Sequence, residues 1–223
     1  RGTSVDYSPC RQELVVTNSE NNSVVFFRAD PLGVLRGFRL LSFAVGSWHA
    51  YYGICFRGTQ ELLLCTTQDD DSALLRISIS ERQTLEEVAI ESGWQIVDIK
   101  PFMLGMFVGV LVKPAPRQTK LVVFDKQHKV VQESDIIPLM SGIAVAAVWD
   151  NAGAIRGLVV ADTRYRRILY FNNNLVLVEQ RVVDFEITGL AVSDDYVICG
   201  CALPLSVKTI PLTDVCTDLR SKG

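Results

Sequence analysis

The chain has 223 residues, with 22 Lys and Arg against 25 Asp and Glu, for a formal net charge of −3. A general phosphate-gripping surface needs clustered cations, so this balance disfavours nucleic acid as the main partner. Apolar residues make up 48% and charged residues 21%, which supports a packed core and argues against disorder. No uncharged apolar run reaches the roughly eighteen residues of a membrane span.

Short apolar runs and polar turns divide the chain into strands from end to end. Residues 4–8 read as a strand, followed by a turn at Pro9 and Cys10, a strand pair over 14–27, a turn at Asp30-Pro31-Leu32-Gly33 and an outer strand over 34–40. The second unit has strands at 51–56, 61–65 and 74–80. Residues 82–90 then set a strand against a helix, because Thr84 to Ile90 also has helical spacing; the strand is favoured. In the third unit, Trp94 to Lys100 alternates cleanly, residues 102–113 are strongly apolar, Pro114-Ala115-Pro116-Arg117 turns the chain, and strands follow at 120–124 and 129–137. The fourth unit runs 141–148, 158–171 and 176–183. The fifth has strands at 188–192, 196–201 and 206–212, with only Val215 and Cys216 to mark an outer strand.

One frame recurs through these units. Leu158 to Phe171, LVVADTRYRRILYF, is matched in outline by 14–27, 64–77, 111–124 and 197–210. Each copy opens on an apolar residue and carries another ten and thirteen positions later. A two-strand unit repeated every forty to fifty residues is the mark of a propeller, since one unit cannot bury its own faces. The expected fold is all-β: a β-propeller of about five four-stranded blades, 4–40, 50–90, 94–137, 141–183 and 188–216, the last blade incomplete. It reads as one domain, a piece of a larger protein.

Gly142-Ile143-Ala144-Val145, Leu158 to Thr163 and Arg167 to Phe171 together resemble one NHL repeat, and Gly189 to Val192 resembles the start of a second. Unit one keeps only the hydrophobic skeleton, with Asn18 at the place of Asp162 and Ser23 at that of Arg167. The resemblance covers about thirty residues. It implies a propeller that serves as a binding platform for protein or RNA, with lyases and lactonases among the relatives, and it implies that Asp162 and Arg167 brace their hairpin.

Chemistry-bearing motifs are sparse. No P-loop, GxGxxG or GxSxG occurs. His49 and His128 sit in no ligand or nucleophile pattern. Cys10, Cys55, Cys65, Cys199, Cys201 and Cys216 include no CxxC pair, so buried free thiols are expected and zinc is not; a Cys10–Cys216 bridge is the competing reading. Asn21-Asn22-Ser23 is a lone glycosylation sequon. No cofactor is implied.

The candidate binding residues lie on hairpin turns: Arg164, Tyr165 and Arg166; Arg117, with Lys120 near it; and Asp69, Asp70 and Asp71. The acidic run lacks the loop of a calcium-binding EF-hand. Turns of mixed sign suit a protein partner better than a polyanion. The expected function is therefore a non-catalytic protein-interaction platform. Two alternatives stay open: a hydrolase or lactonase using Asp98, Asp135 and Glu186 in a central funnel, with Trp48, Trp94 and Trp149 as core packing or as its aromatic lining; and RNA binding at the arginine-rich turn.

Overall fold

The computed structural model describes residues 2–18, 22–29, 35–41, 50–68, 71–138, 140, 142–150, 152–202 and 204–216. Among these residues the chain is strand and turn, with one short 3-10 segment, Leu212–Asp214. No helix among them is long and apolar enough to cross a membrane. The strands form five successive antiparallel meanders. The first is β1 (Gly2–Ser8), β2 (Glu13–Asn18), β3 (Ser23–Ala29) and β4 (Leu35–Leu41). The second is β5 (Ala50–Arg57), β6 (Glu61–Gln68), β7 (Asp71–Ser78) and β8 (Gln83–Ala89). The third runs β9 (Gln95–Pro101), β10 (Phe107–Lys113), β11 (Gln118–Phe124) and β12 (Val130–Glu133), with β13 (Ile137–Pro138) also on β11. The fourth is β14 (Gly142–Trp149), β15 (Ile155–Asp162), β16 (Arg167–Asn172) and β17 (Leu177–Val182). The fifth holds β18 (Ile187–Val192), β19 (Tyr196–Ala202) and β20 (Leu205–Pro211), three strands among the described residues.

The repeated frame has a structural meaning. Leu14 lies opposite Phe27, Leu158 opposite Phe171 and Val197 opposite Ile210, so in three sheets the frame's first and last residues are direct partners. In the second sheet the residue facing Ile77 is Leu62, two positions before the frame's Leu64; in the third the residue facing Phe124 is Phe107, four before Leu111. Both offsets are even. Side chains alternate with period two, so an even slip leaves every apolar residue on its face.

Compactness divides the chain into residues 1–99 and 100–223. In the first unit, Val15, Val24 and Phe26 of one sheet pack on Ile54, Phe56, Leu62, Leu64, Leu75 and Ile77 of the next. The Phe26 and Phe56 rings meet edge to face at 6.4 Å, the favoured geometry for an aromatic pair. The outer edge of β5 is closed by side chains. The Phe56 N–H donates to Asp6 Oδ2 at 2.7 Å and the Ile54 N–H to Ser4 Oγ at 3.3 Å, while Thr17 Oγ1 donates to the Tyr52 carbonyl at 2.8 Å. The Ile96 N–H of β9 likewise donates to Ser72 Oγ at 3.1 Å. Buried edge groups left unpaired would be costly. Gly53 permits the close approach: a Cβ there would lie 2.5 Å from the Asp98 Cα.

In the second unit, Val148, Val159, Ile168 and Tyr170 pack on Ile187, Val197, Cys199 and Ile210. Three turns share one construction. The Oδ1 atoms of Asp125, Asp150 and Asn172 each accept the backbone N–H groups two and four residues on, all at 2.8–3.1 Å. The residue three on (His128, Gly153 and Leu175) is left-handed in each. His128 and Leu175 are buried, so both are spent on the turn and its packing.

Several expectations change. The strongly apolar run 102–113 is not all strand: β10 starts at Phe107, because Phe102 to Met106 close a tight turn, with the Phe102 N–H on the Met106 carbonyl at 3.0 Å. The outer strand expected over 129–137 is broken into β12 and β13; at the break Ser134 Oγ accepts the Leu121 N–H at 2.9 Å. The strand favoured over 82–90 is present as β8, pairing along β7. Val215 and Cys216 form no outer strand; they follow the 3-10 turn and are buried in the core. All six cysteines are free, so there is no Cys10–Cys216 bridge; Cys10 is exposed and the other five are buried. The turn at 30–33, Asn21 of the sequon, Trp48 and His49 lie outside the described residues.

Two tests follow from this packing. A Cβ at Gly157 would sit 2.2 Å from the Phe171 carbonyl oxygen and 2.7 Å from the Tyr170 ring. Gly157→Ala and Gly53→Ala should therefore each cost about 2–3 kcal/mol in denaturant unfolding; a loss below about 0.5 kcal/mol would contradict the close approach. Glu13 is buried and accepts Arg11 Nε and Arg28 Nη2, both at 2.7 Å. Burial works to raise its pKa, but these arginines outweigh burial and hold it below the usual carboxylate value of 4.5. A depressed folded-state pKa gives stability that is present above the unfolded pKa and lost as pH falls through the folded one. Glu13→Gln should cost about 1–2 kcal/mol at neutral pH, with the gap to wild type closing below about pH 4.5. A gap that persists unchanged at pH 3 would exclude the ionised pair as its source.

Candidate functional site

The residues expected to bind sit on hairpin turns. Arg164, Tyr165 and Arg166 form the β15–β16 turn and Arg117 lies in the β10–β11 turn; all four are exposed. Asp71, the first residue of β7, is exposed, while Asp69 and Asp70 lie outside the described residues. Lys120, expected at the start of the returning strand near Arg117, does not take an exposed position. It lies within β11, is buried, and reaches Glu133 Oε2 at 3.0 Å; its charge is taken up by the sheet.

The arginine turn separates bracing from exposed residues. Asp162 is fully buried and accepts Arg167 Nε at 2.8 Å, and Arg167 Nη1 donates to Gln180 Oε1 at 2.9 Å. This pair ties β15, β16 and β17 together below the turn. Arg167 also lies 5.2 Å from the Tyr165 ring centre, with Arg164 at 5.5 Å from the same ring. Each distance is within cation–π range. The pair holds the half-exposed tyrosine in place beside the Arg164 guanidinium. Neither the Arg164 nor the Arg166 side chain makes a hydrogen bond or ion pair among the described residues, although the Arg166 carbonyl accepts the Val183 N–H at 2.7 Å.

The carboxylates considered for catalysis occupy unlike settings. Asp98 is buried and accepts the Ser4 hydroxyl at 3.3 Å. Asp135 is exposed in the break between β12 and β13, on an outer edge and not near an inner strand. Glu186 is half-buried just before β18. No group of three His, Cys, Asp or Glu among the described residues could hold a metal ion. Cys199 is no activated nucleophile: burial first, then the neighbouring Cys201, pushes its thiol up to about 11, whereas a reactive cysteine is depressed.

A cleft in the second unit was not apparent in the sequence. It has a volume of about 440 Å³ and is lined by Trp149, Asp150, Ala152, Arg156, Asp194, Asp195, Leu212 and Thr213. The end of β14, the β14–β15 turn, the start of β15, the β18–β19 turn and the 3-10 turn supply these residues. Trp94 is buried as core, but Trp149 is 47% exposed. The available signal was Trp149-Asp150 at a strand end together with Asp194-Asp195 in a turn; only the packing of the two sheets brings them together.

No family model matches the sequence, and no curated protein matches it. Solved structures share the fold. The β-propeller domain of Cps50 (Swd1) from Myceliophteria thermophila superposes with a TM-score of 0.63 at 10% identity, over 94% of this chain and 84% of that one. The WD40 domain of Neurospora crassa Pan2 gives 0.64 at 12% identity, over 96% and 63%. A luciferin-regenerating enzyme gives 0.59 at 12% identity, over 94% and 76%. The chain has the fold of a five-bladed β-propeller, and its structural neighbours include a β-propeller domain, a WD40 domain and an enzyme.

The thiols give a direct check. At pH 8 a chromogenic disulfide reagent should titrate Cys10 within seconds and leave Cys199 unmodified until the protein unfolds. Rapid labelling of Cys199 in the folded chain would contradict both its burial and its raised pKa.

Proposed function

We propose that the chain is a non-catalytic protein-interaction platform within a larger protein or complex, and that 142–171 is an NHL-like repeat. The observation that carries this reading is the division of labour at the β15–β16 turn. Asp162 and Arg167 brace the hairpin from below, which leaves the side chains of Arg164, Tyr165 and Arg166 exposed. An exposed tyrosine flanked by guanidiniums has the composition of an interface anchor. The occurrence of a WD40 domain among the structural neighbours supports the same reading, as does the mixture of Arg117, the arginine turn and Asp71 at the hairpin ends. A polyanion would favour one sign throughout.

The test is a charge-reversal set. Arg164→Glu/Arg166→Glu and Arg117→Glu should leave the unfolding midpoint within about 2 °C of wild type, whereas Asp162→Asn should lower it. Quantitative affinity capture with nuclease-treated extract should show specific partners depleted about tenfold or more by the reversal set. An unchanged partner profile would count against this surface. Partners lost on nuclease treatment, with salt-dependent affinity for a single-stranded RNA, would replace the protein reading with the RNA one.

A further inference from the structure

We infer that the cleft beside Trp149 is a binding site for a cationic side chain, an arginine or lysine presented by a partner polypeptide. This site is distinct from the arginine turn and does not depend on it. The first observation is the cavity itself. Its volume of about 440 Å³ falls within the roughly 300–1,000 Å³ of ordinary ligand sites, ample for one long side chain. The second is the indole. Trp149 is half-exposed at the end of β14 and forms part of the wall, although a tryptophan gains most by burial. An aromatic face so placed attracts cations, tryptophan most strongly of the three aromatics.

The lining decides the sign. It carries Asp150, Asp194 and Asp195 against one cation, Arg156. Arg156 Nε stands 3.9 Å from Asp150 Oδ2, and Asp150 Oδ1 already serves the Ala152 and Ala154 N–H groups. Asp150 and Arg156 therefore largely answer each other. Asp194 and Asp195 are exposed, with no side-chain hydrogen bond or ion pair among the described residues. An anion would face two uncompensated carboxylates, and an apolar ligand would desolvate them without return. A metal ion is disfavoured because these groups do not gather three ligands together. A guanidinium or ammonium on an apolar stem fits all the walls: its stem against Leu212 and the indole, its charge toward Asp194 and Asp195.

The walls are also preformed. The Leu212 N–H donates to the Asp195 carbonyl at 2.8 Å, and the Ser193 N–H to the Tyr196 carbonyl at 2.9 Å. The Asp150 turn is closed by its own carboxylate. Little conformational entropy is then lost on binding.

The experiment titrates the full chain with the blocked tripeptides acetyl-Gly-Arg-Gly-amide, acetyl-Gly-Lys-Gly-amide and acetyl-Gly-Gln-Gly-amide. Tryptophan emission is the readout, and Trp149→Phe identifies the responding indole. The Arg and Lys peptides should saturate with Kd on the order of 1 mM, weakening as salt rises from about 50 to about 500 mM; the Gln peptide should not saturate. Asp194→Asn/Asp195→Asn should weaken the Arg peptide about tenfold, and Arg156→Gln should tighten it about threefold by removing the resident cation. Arg164→Glu/Arg166→Glu should leave it unchanged, which keeps this test separate from that of the turn. The Arg156 variant moves affinity opposite to the aspartate variant, so general damage to the fold cannot imitate the pair. Absence of saturation with the Arg and Lys peptides, an equal response to the Gln peptide, or affinity indifferent to the aspartate and arginine variants would overturn the assignment.

Discussion

A sheet whose middle strands are apolar on both faces cannot stand alone in water. β6 and β7 are buried along most of their length, as are β11, β15 and β16, so these sheets depend on their neighbours for both faces. At roughly 25 cal/mol per Å² of apolar surface removed from water, such burial is the main favourable term. Stacking exacts one condition. The first strand of each sheet has an edge that no strand pairs, and its buried backbone groups still require partners.

Short polar side chains from adjacent sheets meet that condition. In the first unit Ser4, Asp6, Thr17 and Ser72 take this role. In the second, Thr119 donates to the Met140 carbonyl at 3.2 Å and Thr163 to the Ile187 carbonyl at 3.3 Å. The same economy governs the buried charges. Glu13 is held by two arginines, Asp98 by Ser4, and Asp162 by Arg167. These buried polar groups are thus engaged by the architecture. What remains free for recognition lies on the turns and in the cleft between sheet ends, where loops tolerate variation without loss of the core.

The turns show how local chemistry serves both roles. Asp150 closes its turn with one carboxylate oxygen and faces Arg156 with the other, so one residue shapes the backbone and sets the charge of the cleft beside it. At the β15–β16 turn the roles are divided among neighbours: Arg167 is inward and bonded, Arg164 and Arg166 outward. Charge alone does not separate these arginines. Their position relative to the last pair of the hairpin does, since Arg167 faces Asp162 across the ladder.

Much of the fold was legible because its signals are local. Alternation and turn residues marked nearly every strand, and a frame of fixed length exposed the repeat even where the hairpin had slipped by two or four residues, because an even slip preserves the pattern of faces. Features set by competition among distant segments were not legible. The break at Ser134 depends on its hydrogen bonds with Leu121. Val215 and Cys216 carry strand-like residues but enter the core instead. Lys120, which the sequence places near a turn, is drawn to Glu133. The cleft of Trp149, Asp194 and Asp195 joins residues some forty-five positions apart, and no spacing rule links them. The chain by itself determined how many sheets form and which faces are apolar, because those follow from period-two patterning and turn chemistry. Only the tertiary structure decided which polar residues are consumed by unpaired edges and which stay exposed, because that outcome depends on which sheet each one is packed against.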